Sequence, residues 1–191
     1  MAIGVERVAV VLLAAGRSAR FGGDKLAAPF RGRPLGTHAA AMLAAIPFAA
    51  HIAVTGPSVV DLAALGFDCR AAPPDAPMSL SLKIGIAAAE ATGCDACLIA
   101  LADMPMVPAA HIHALLAAHD GALTATLSDE VRMVPAVIAR AAFPLVATLS
   151  GDQGARALLR EALGVAAPPA WLVDIDTPGD AARNNVQPGG R

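Results

Sequence analysis

Behind the apolar run VAVVLL, residues Ala14, Ala15 and Gly16 carry almost no side chain, and Arg17, Arg20 and Lys25 follow within LLAAGRSARFGGDK. A ligand can lie directly on such a backbone and use its N–H groups, while the basic side chains supply positive charge. A nucleoside triphosphate needs both, above all where pyrophosphate must leave with its charge stabilised. A solvated turn that only keeps the surface soluble has the same composition. Two familiar phosphate loops do not fit: a GxxxxGK[ST] loop needs Ser or Thr after its lysine, but Lys25 precedes Leu26, and AAGRSARFGG lacks the GxGxxG spacing.

A second stretch shifts the balance towards chemistry. In LIALADMP, Asp103 closes an apolar run, where a carboxylate is costly unless something pairs with it. A hard cation is a natural partner, and Mg²⁺ typically takes one or two carboxylates plus substrate phosphates. A helix-capping role is weaker, because Asp103 lies well ahead of Pro108, where the next helix opens. VDIDTP offers a second carboxylate, Asp174 or Asp176, at another predicted strand end.

Alternating elements must carry these residues. VERVAVVLLAA, HIAVTG, DCRAAP, ACLIALAD, ALTATLS, VRMVPAVIA and WLVDIDT read as strands. Helices are expected from Pro34 to about Ile46, over VVDLAALG, over MSLSLKIGIAAAEATG with Ser79 as N-cap, and over PAAHIHALLAAHDG, RAAFPLVATL, GARALLREALG and GDAARNN. The order predicts an α/β fold: a mostly parallel sheet with helices on both faces. One domain over residues 1–184 is expected, with a flexible tail at 185–191. In such sheets ligands bind outside the carboxyl ends of the strands, so both conspicuous loops should face one crevice.

Composition narrows the function classes. The 191 residues are 56 % apolar with a formal charge of −2, which argues against a disordered chain or a nucleic-acid binder. Mean hydropathy is +0.58, yet no apolar run nears the ~20 residues of a membrane span. The first residues, with Arg7 as n-region, imitate a signal peptide, but the apolar run is short and continues into the folded unit, so a cytoplasmic protein is expected. Cys94 and Cys97 form a CxxC with no second ligand pair and read as incidental small residues. The five histidines, His38, His51, His111, His113 and His119, read as surface or helix-end residues rather than ligands.

LLAAGRSARFGGDK resembles the LAAGxSxRxGxxK signature of the MobA-like nucleotidyltransferases. LADMP is similar to that family's L(A/G)DxP metal motif, MSLSLKIGI to its SL(R/K)xGI helix, LSGDQGARALL to LxGDxGAR, and DIDTPGD to D(I/V)DTPxD. The match runs in register from about Val8 to Asp180. LAAG, rather than LAGG, resembles the molybdenum cofactor cytidylyltransferase branch. That resemblance implies a three-layer, Rossmann-like and GT-A-like nucleotidyltransferase fold, CTP as donor, Mg²⁺ as cofactor and a molybdopterin-type acceptor loaded with molybdenum. The product would pass to a molybdenum hydroxylase or its chaperone.

Carried over position by position, the resemblance implies that Leu13, Ala14, Ala15 and Gly16 cradle the nucleoside and that Arg20 and Lys25 hold the triphosphate. Ser81 would meet the nucleotide with Ser79 assisting. Asp103 would hold Mg²⁺ with Asp176 or Asp174, and Asp152, Gly154 and Arg156 would contact the acceptor. The nucleophile would be the acceptor's own phosphate, so no catalytic base is called for. Two places depart from the branch: DEVRMVP stands where GxxGxP is usual, and Pro77 where a glycine often precedes the MSxSL helix. The rival readings are a methylerythritol phosphate-type cytidylyltransferase, which usually has Pro where Asp24 stands, a guanylyltransferase, and a non-catalytic nucleotide-binding partner of a molybdenum enzyme.

Overall fold

In the computed structural model of the chain, residues 3–16, 18–151 and 155–185 are described. Strand β1 (Val8–Ala14) lies at the centre of the sheet, and Val8 to Leu12 are wholly buried. Successive side chains on a strand point to opposite faces. Val8, Val10 and Leu12 therefore pack with helices α1 (Gly36–Ala44) and α3 (Ala109–Ala118), whereas Ala9 and Val11 pack with α2 (Met78–Ala91). A strand covered on both faces has no place for a polar residue, which explains the unbroken apolar run.

Strands β4 (Ala50–Thr55) and β6 (Ala96–Leu101) flank β1, both parallel to it. The full sheet has seven strands in the order β5-β4-β1-β6-β8-β7-β9, with β5 at Asp68–Ala71, β7 at Leu123–Ser128, β8 at Val131–Ala139 and β9 at Leu163–Ala166. Only β8 runs against its neighbours. From β1 the chain moves outward to β4 and β5, then returns to β6 on the other side of β1. Strand order reverses there, and a crevice opens beyond the carboxyl ends of β1 and β6. The α/β, mostly parallel layered sheet expected from the sequence is the fold observed.

Several local expectations need correction. Pro34 belongs to a small hairpin, β2 (Pro29–Phe30) with β3 (Arg33–Pro34), and α1 starts after it at Gly36. VVDLAALG holds only a short 3₁₀ turn, Ala63–Leu65. GARALLREALG is not one helix: α5 spans Arg156–Leu159, and β9 follows. Gly164 pairs with Ala125, and a Cβ on it would sit 3.0 Å from the Leu127 side chain, so glycine lets β9 close on β7. WLVDIDT joins no ladder: Trp171 ends a 3₁₀ turn, Pro169–Trp171, and residues 173–176 have no regular structure. Ile175 is fully buried, yet it packs in a satellite cluster with Phe30 and Leu35 instead of the sheet.

Ser79 does not cap α2; Pro77 holds that position, and Ser79 is buried in the first turn. The surface reading also fails for two histidines. His111 and His119 are 2 % and 3 % exposed. His111 Nε2 lies 2.8 Å from Thr126 Oγ1, whose hydroxyl donates to the Pro135 carbonyl at 2.7 Å, so the imidazole must donate from Nε2. His119 Nδ1 meets Thr124 Oγ1 at 3.0 Å. The alternating threonines of β7 thus turn a polar edge towards α3. His38 and His51 are half-buried and bonded to backbone carbonyls, and His113 is exposed.

Burial lowers the pKa of both His111 and His119, so the fold favours their neutral forms. That contribution is present above the ordinary histidine pKa of about 6.5 and is lost as pH falls below it. The His111→Gln/His119→Gln double variant is expected to flatten this acid limb. The check is the difference between wild-type and variant thermal midpoints at pH 7 and pH 5; an unchanged difference would contradict it.

Gly85 explains the glycine of the SLKIGI helix. A Cβ there would meet Val11 Cγ1 at 2.4 Å, so α2 can lie against β1 only without one. Gly85→Val is expected to destabilise by about 1–3 kcal/mol through overpacking, read from the urea midpoint at unchanged slope. A wild-type midpoint would refute the close-packing account. Among the described residues no helix is long and apolar enough to cross a membrane.

Candidate active site

The loop after β1 folds back on itself to deliver Lys25. Phe21 N–H donates to the Ser18 carbonyl at 2.9 Å, Gly22 takes a left-handed φ of 77°, and Lys25 N–H donates to Ser18 Oγ at 3.3 Å. Asp24 ties the loop to the segment after β4 by accepting from Ser58 Oγ and Val59 N–H, both at 2.9 Å. Leu26 is buried in the core behind it. Lys25 is thereby turned inward, with its side chain only 7 % exposed.

Its ammonium sits between two carboxylates: Asp103 Oδ2 at 2.6 Å and Asp176 Oδ1 at 3.0 Å. Asp103 follows β6, and the neighbouring Ala102 N–H donates to the Leu13 carbonyl at 3.0 Å, which places Asp103 beside the end of β1. The Asp103 carbonyl accepts from Ile175 N–H at 3.0 Å, pinning the segment that carries Asp174 and Asp176. Asp176 immediately precedes the cap of α6 (Pro178–Asn184). Thr177 and Asp180 form a reciprocal capping box there, and Asp180 Oδ2 also accepts from Asp176 N–H at 3.3 Å. Arg20 reaches the other Asp176 oxygen, Oδ2, at 2.7 Å, and its side chain is 74 % exposed.

The electrostatics follow from this geometry. Burial by itself would lower the Lys25 pKa, but the charges and hydrogen bonds of Asp103 and Asp176 outweigh it and hold the ammonium above its ordinary value. Asp174 lies at the mouth of a neighbouring cavity. Partial desolvation, then the charges of Asp103 and Asp176, push its carboxyl up to about 6. Of the two candidate second carboxylates, Asp176 converges with Asp103 on one cation position, and Asp174 does not share it.

Three cavities adjoin this centre. One of about 260 Å³ is walled by Leu13, Ala15, Gly16, Ser81 and Asp103. A second, about 440 Å³, lies along the loop itself at Gly16, Ser18, Gly22 and Ser58. The third, about 450 Å³, shares Leu13, Met78 and Leu101 with the first and extends to Arg132, Arg156 and Asp174. Leu13, Ala15, Gly16, Ser81 and Asp103 are thus brought together as expected, and Ala14 ends β1 beneath them. Ser79 does not reach this wall. Arg17, Asp152 and Gly154 lie outside the described residues, as does the expected tail from 186 onward.

Sequence reasoning missed several supporting residues. Asp24 carried no motif signal beyond being unusual at its position. Asp180 did carry one, since Thr177-Pro-Gly-Asp180 has the spacing of a capping box. Gly56 was legible only as a strand-end glycine; a Cβ on it would stand 3.1 Å from Ala15 Cα, so the cradle loop rests on it. Cys94 and Cys97 are buried free thiols, and burial pushes the Cys97 thiol well up. Among the described residues no group of three or more His, Cys, Asp or Glu side chains could hold a metal by itself. Two carboxylates that leave the remaining positions to water and substrate phosphate are a fitting donor set for a hard divalent cation.

The profile of the MobA-like NTP transferase domain matches residues 10–166. Over 186 residues the chain is 31 % identical to the purine catabolism protein PucB of Bacillus subtilis (strain 168), covering 88 % of this chain and 91 % of that one. The crystal structure of a Mycobacterium tuberculosis Rv0371c homolog from Mycobacterium sp. strain JC1 superposes with a TM-score of 0.78 at 25 % identity, covering 93 % of this chain and 94 % of that one. Rv0371c of Mycobacterium tuberculosis H37Rv, solved in complex with manganese, has the same fold at a TM-score of 0.74 and 22 % identity, with 93 % and 97 % covered.

Proposed function

The chain belongs to the MobA-like NTP transferase family, and from that premise we propose that it transfers CMP from CTP to molybdenum-loaded molybdopterin and releases pyrophosphate. One observation carries the reading: the smaller cavity reaches Asp103 of the Lys25, Asp103 and Asp176 cluster and shares Leu13, Met78 and Leu101 with the larger one. A donor in the smaller cavity and an acceptor in the larger one would meet beside these charges.

In this reading the nucleoside lies on Leu13 to Gly16 against Ser81, and the phosphates run towards Lys25 and along the glycine-rich loop. An oxygen of the acceptor's phosphate forms a bond to the α-phosphorus, and the bond from that phosphorus to the bridging oxygen of pyrophosphate breaks. The nucleophile is already anionic at neutral pH, so no side chain need remove a proton. Lys25 neutralises charge on the α-phosphate, and Arg20, free to swing from Asp176, holds the departing pyrophosphate. Alignment and charge neutralisation carry the rate. A divalent cation, Mg²⁺ or Mn²⁺, would be held by Asp103 and Asp176 and supply further stabilisation of phosphate charge. The manganese in the Rv0371c complex supports that class of ion. Arg156, on the wall of the larger cavity, serves the acceptor.

The likeness to a protein named for purine catabolism supports a molybdenum hydroxylase as recipient, because hydroxylation of purines is chemistry of that enzyme class. A second reading, another phosphorylated acceptor, draws on DEVRMVP, which places Arg132 and Met133 in the larger cavity. Pyrophosphate release is the test, measured with CTP, GTP, UTP and ATP and Mg²⁺, each with and without molybdenum-loaded molybdopterin. Release with CTP that requires the pterin is expected. Release with GTP alone among the four would move the chain to guanylyl transfer, and stoichiometric binding without turnover would mark a non-catalytic partner.

A further inference from the structure

Three arginines face the larger cavity: Arg132 from β8, and Arg156 and Arg160 from α5 and its end. None forms an ion pair with a carboxylate among the described residues, although Arg156 is near enough to Asp174 to lower its pKa. The remaining wall is largely apolar, with Met78, Met104 and Leu82.

Arg132 differs from the other two in being half-buried and anchored. Its Nε donates to the Ala162 carbonyl at 2.6 Å, which leaves the terminal NH₂ groups for a ligand. Its place follows from strand register. The last β6–β8 pair is Ile99↔Ala136 and β6 ends two residues on at Leu101, so β8 residues before Val134 run past its carboxyl end, and Arg132 pairs instead with Leu127 of β7. Ala162 directly precedes β9, beyond β7, so the anchor draws the guanidinium away from β1, β6 and Asp103. An acceptor whose reacting phosphate lies at the Asp103 end would bring a group other than that phosphate to Arg132.

We propose that Arg132 is a specificity-determining residue which, with Arg160, binds a second anionic group of a flat acceptor, distinct from its reacting phosphate. The inference rests on the larger cavity being the acceptor site. A planar guanidinium matches an oxyanion bidentately, and one pre-fixed through Nε loses little freedom in doing so. The shared chemistry is an oxyanion, which a carboxylate or the oxo-metal group of a loaded pterin both supply.

The experiment fills the nucleotide site with a non-hydrolysable CTP analogue and Mg²⁺, then measures fluorescence polarisation of pterin-6-carboxylate and of unsubstituted pterin. The carboxylate carries the anion and the flat body but no reactive phosphate. It is expected to bind about 10- to 100-fold more tightly than pterin, the scale of a charge-assisted contact in a partly desolvated site. Arg132→Ala is expected to erase that preference, Arg132→Lys to restore part of it, and Arg160→Ala, which removes no anchor, to reduce it. CTP-analogue affinity, unchanged in all three, reports the fold. In a parallel arm, Arg132→Ala is expected to raise the KM for molybdenum-loaded molybdopterin with the KM for CTP unaltered. A rise there without a preference for pterin-6-carboxylate assigns the oxyanion to the oxo-metal group, and the preference without a rise assigns it to a carboxylate-bearing acceptor. Equal binding of the two pterins together with an unaltered acceptor KM overturns the proposal. If no nucleotide gives pyrophosphate release with the loaded pterin, the named acceptor is wrong, while an Arg132-dependent preference for the carboxylate still upholds the anion clamp.

Discussion

Asp103→Asn is expected to lower metal-dependent transfer by about 10²–10³-fold while leaving the fold intact. Asparagine keeps the size of the side chain and one acceptor oxygen for the Lys25 ammonium, which also retains Asp176 at 3.0 Å. What it removes is the charge. Two carboxylates converge on a single cation position, and an amide oxygen is a far poorer ligand for a hard divalent ion. Asp176→Asn should follow closely, because the Asp176 oxygens serve both Lys25 and Arg20. Asp174→Asn should matter less, since that carboxyl faces the neighbouring cavity without sharing the cation position. Turnover against CTP with thermal melts as the fold control decides the ranking. Near-wild-type turnover in Asp103→Asn would remove the metal assignment.

Lys25→Ala should weaken CTP binding by about 10- to 100-fold, and CMP binding far less, because in the proposed reading the contact it deletes is to the polyphosphate. Lys25 is the counter-ion that lets Asp103 and Asp176 approach each other. Without it, both would present bare negative charge to an incoming triphosphate, adding repulsion to the lost attraction. The deficit should therefore be larger without divalent cation than with it, since a cation at the same two carboxylates relieves the repulsion. Lys25→Arg should recover part of the loss. Its charge is right, but a planar guanidinium does not fit a pocket in which the lysine side chain is 7 % exposed. Isothermal titration with CTP and CMP, each with and without Mg²⁺, measures all of this. Equal losses for the two nucleotides would move Lys25 out of the phosphate site.

Much of the site was legible in the sequence because its signals are local. VAVVLL and LIAL read as doubly covered strands from their unbroken apolar character, small residues behind a strand imply close ligand approach, and an aspartate ending an apolar strand demands a partner. None of these inferences needs a distant residue. The helix stop at Gly93 is of the same kind, with φ at 77° where a side chain would be strained. Local reasoning failed where the same pattern has two tertiary solutions. The alternation in WLVDIDT buries Ile175 whether the segment joins a sheet or, as here, a satellite cluster with Phe30 and Leu35. ALLREALGVA has apolar spacing that suits a helix, and only the free edge of β7 made its second half a strand. His111 and His119 looked like helix-surface residues until the threonines of β7 faced them.

The sequence by itself determined the alternation of the central strands and helices, the small-residue cradle, the basic loop and the acidic strand end. Short-range sterics and two-residue periodicity fix those without reference to the rest of the chain. Tertiary structure alone decided that Lys25 is held by Asp103 and Asp176, which are 78 and 151 positions away. It also decided that Asp176 and not Asp174 shares that cation position, and that Arg132 faces the larger cavity. Such meetings depend on strand order and register, which bring remote segments to one edge of the sheet and which no local pattern encodes.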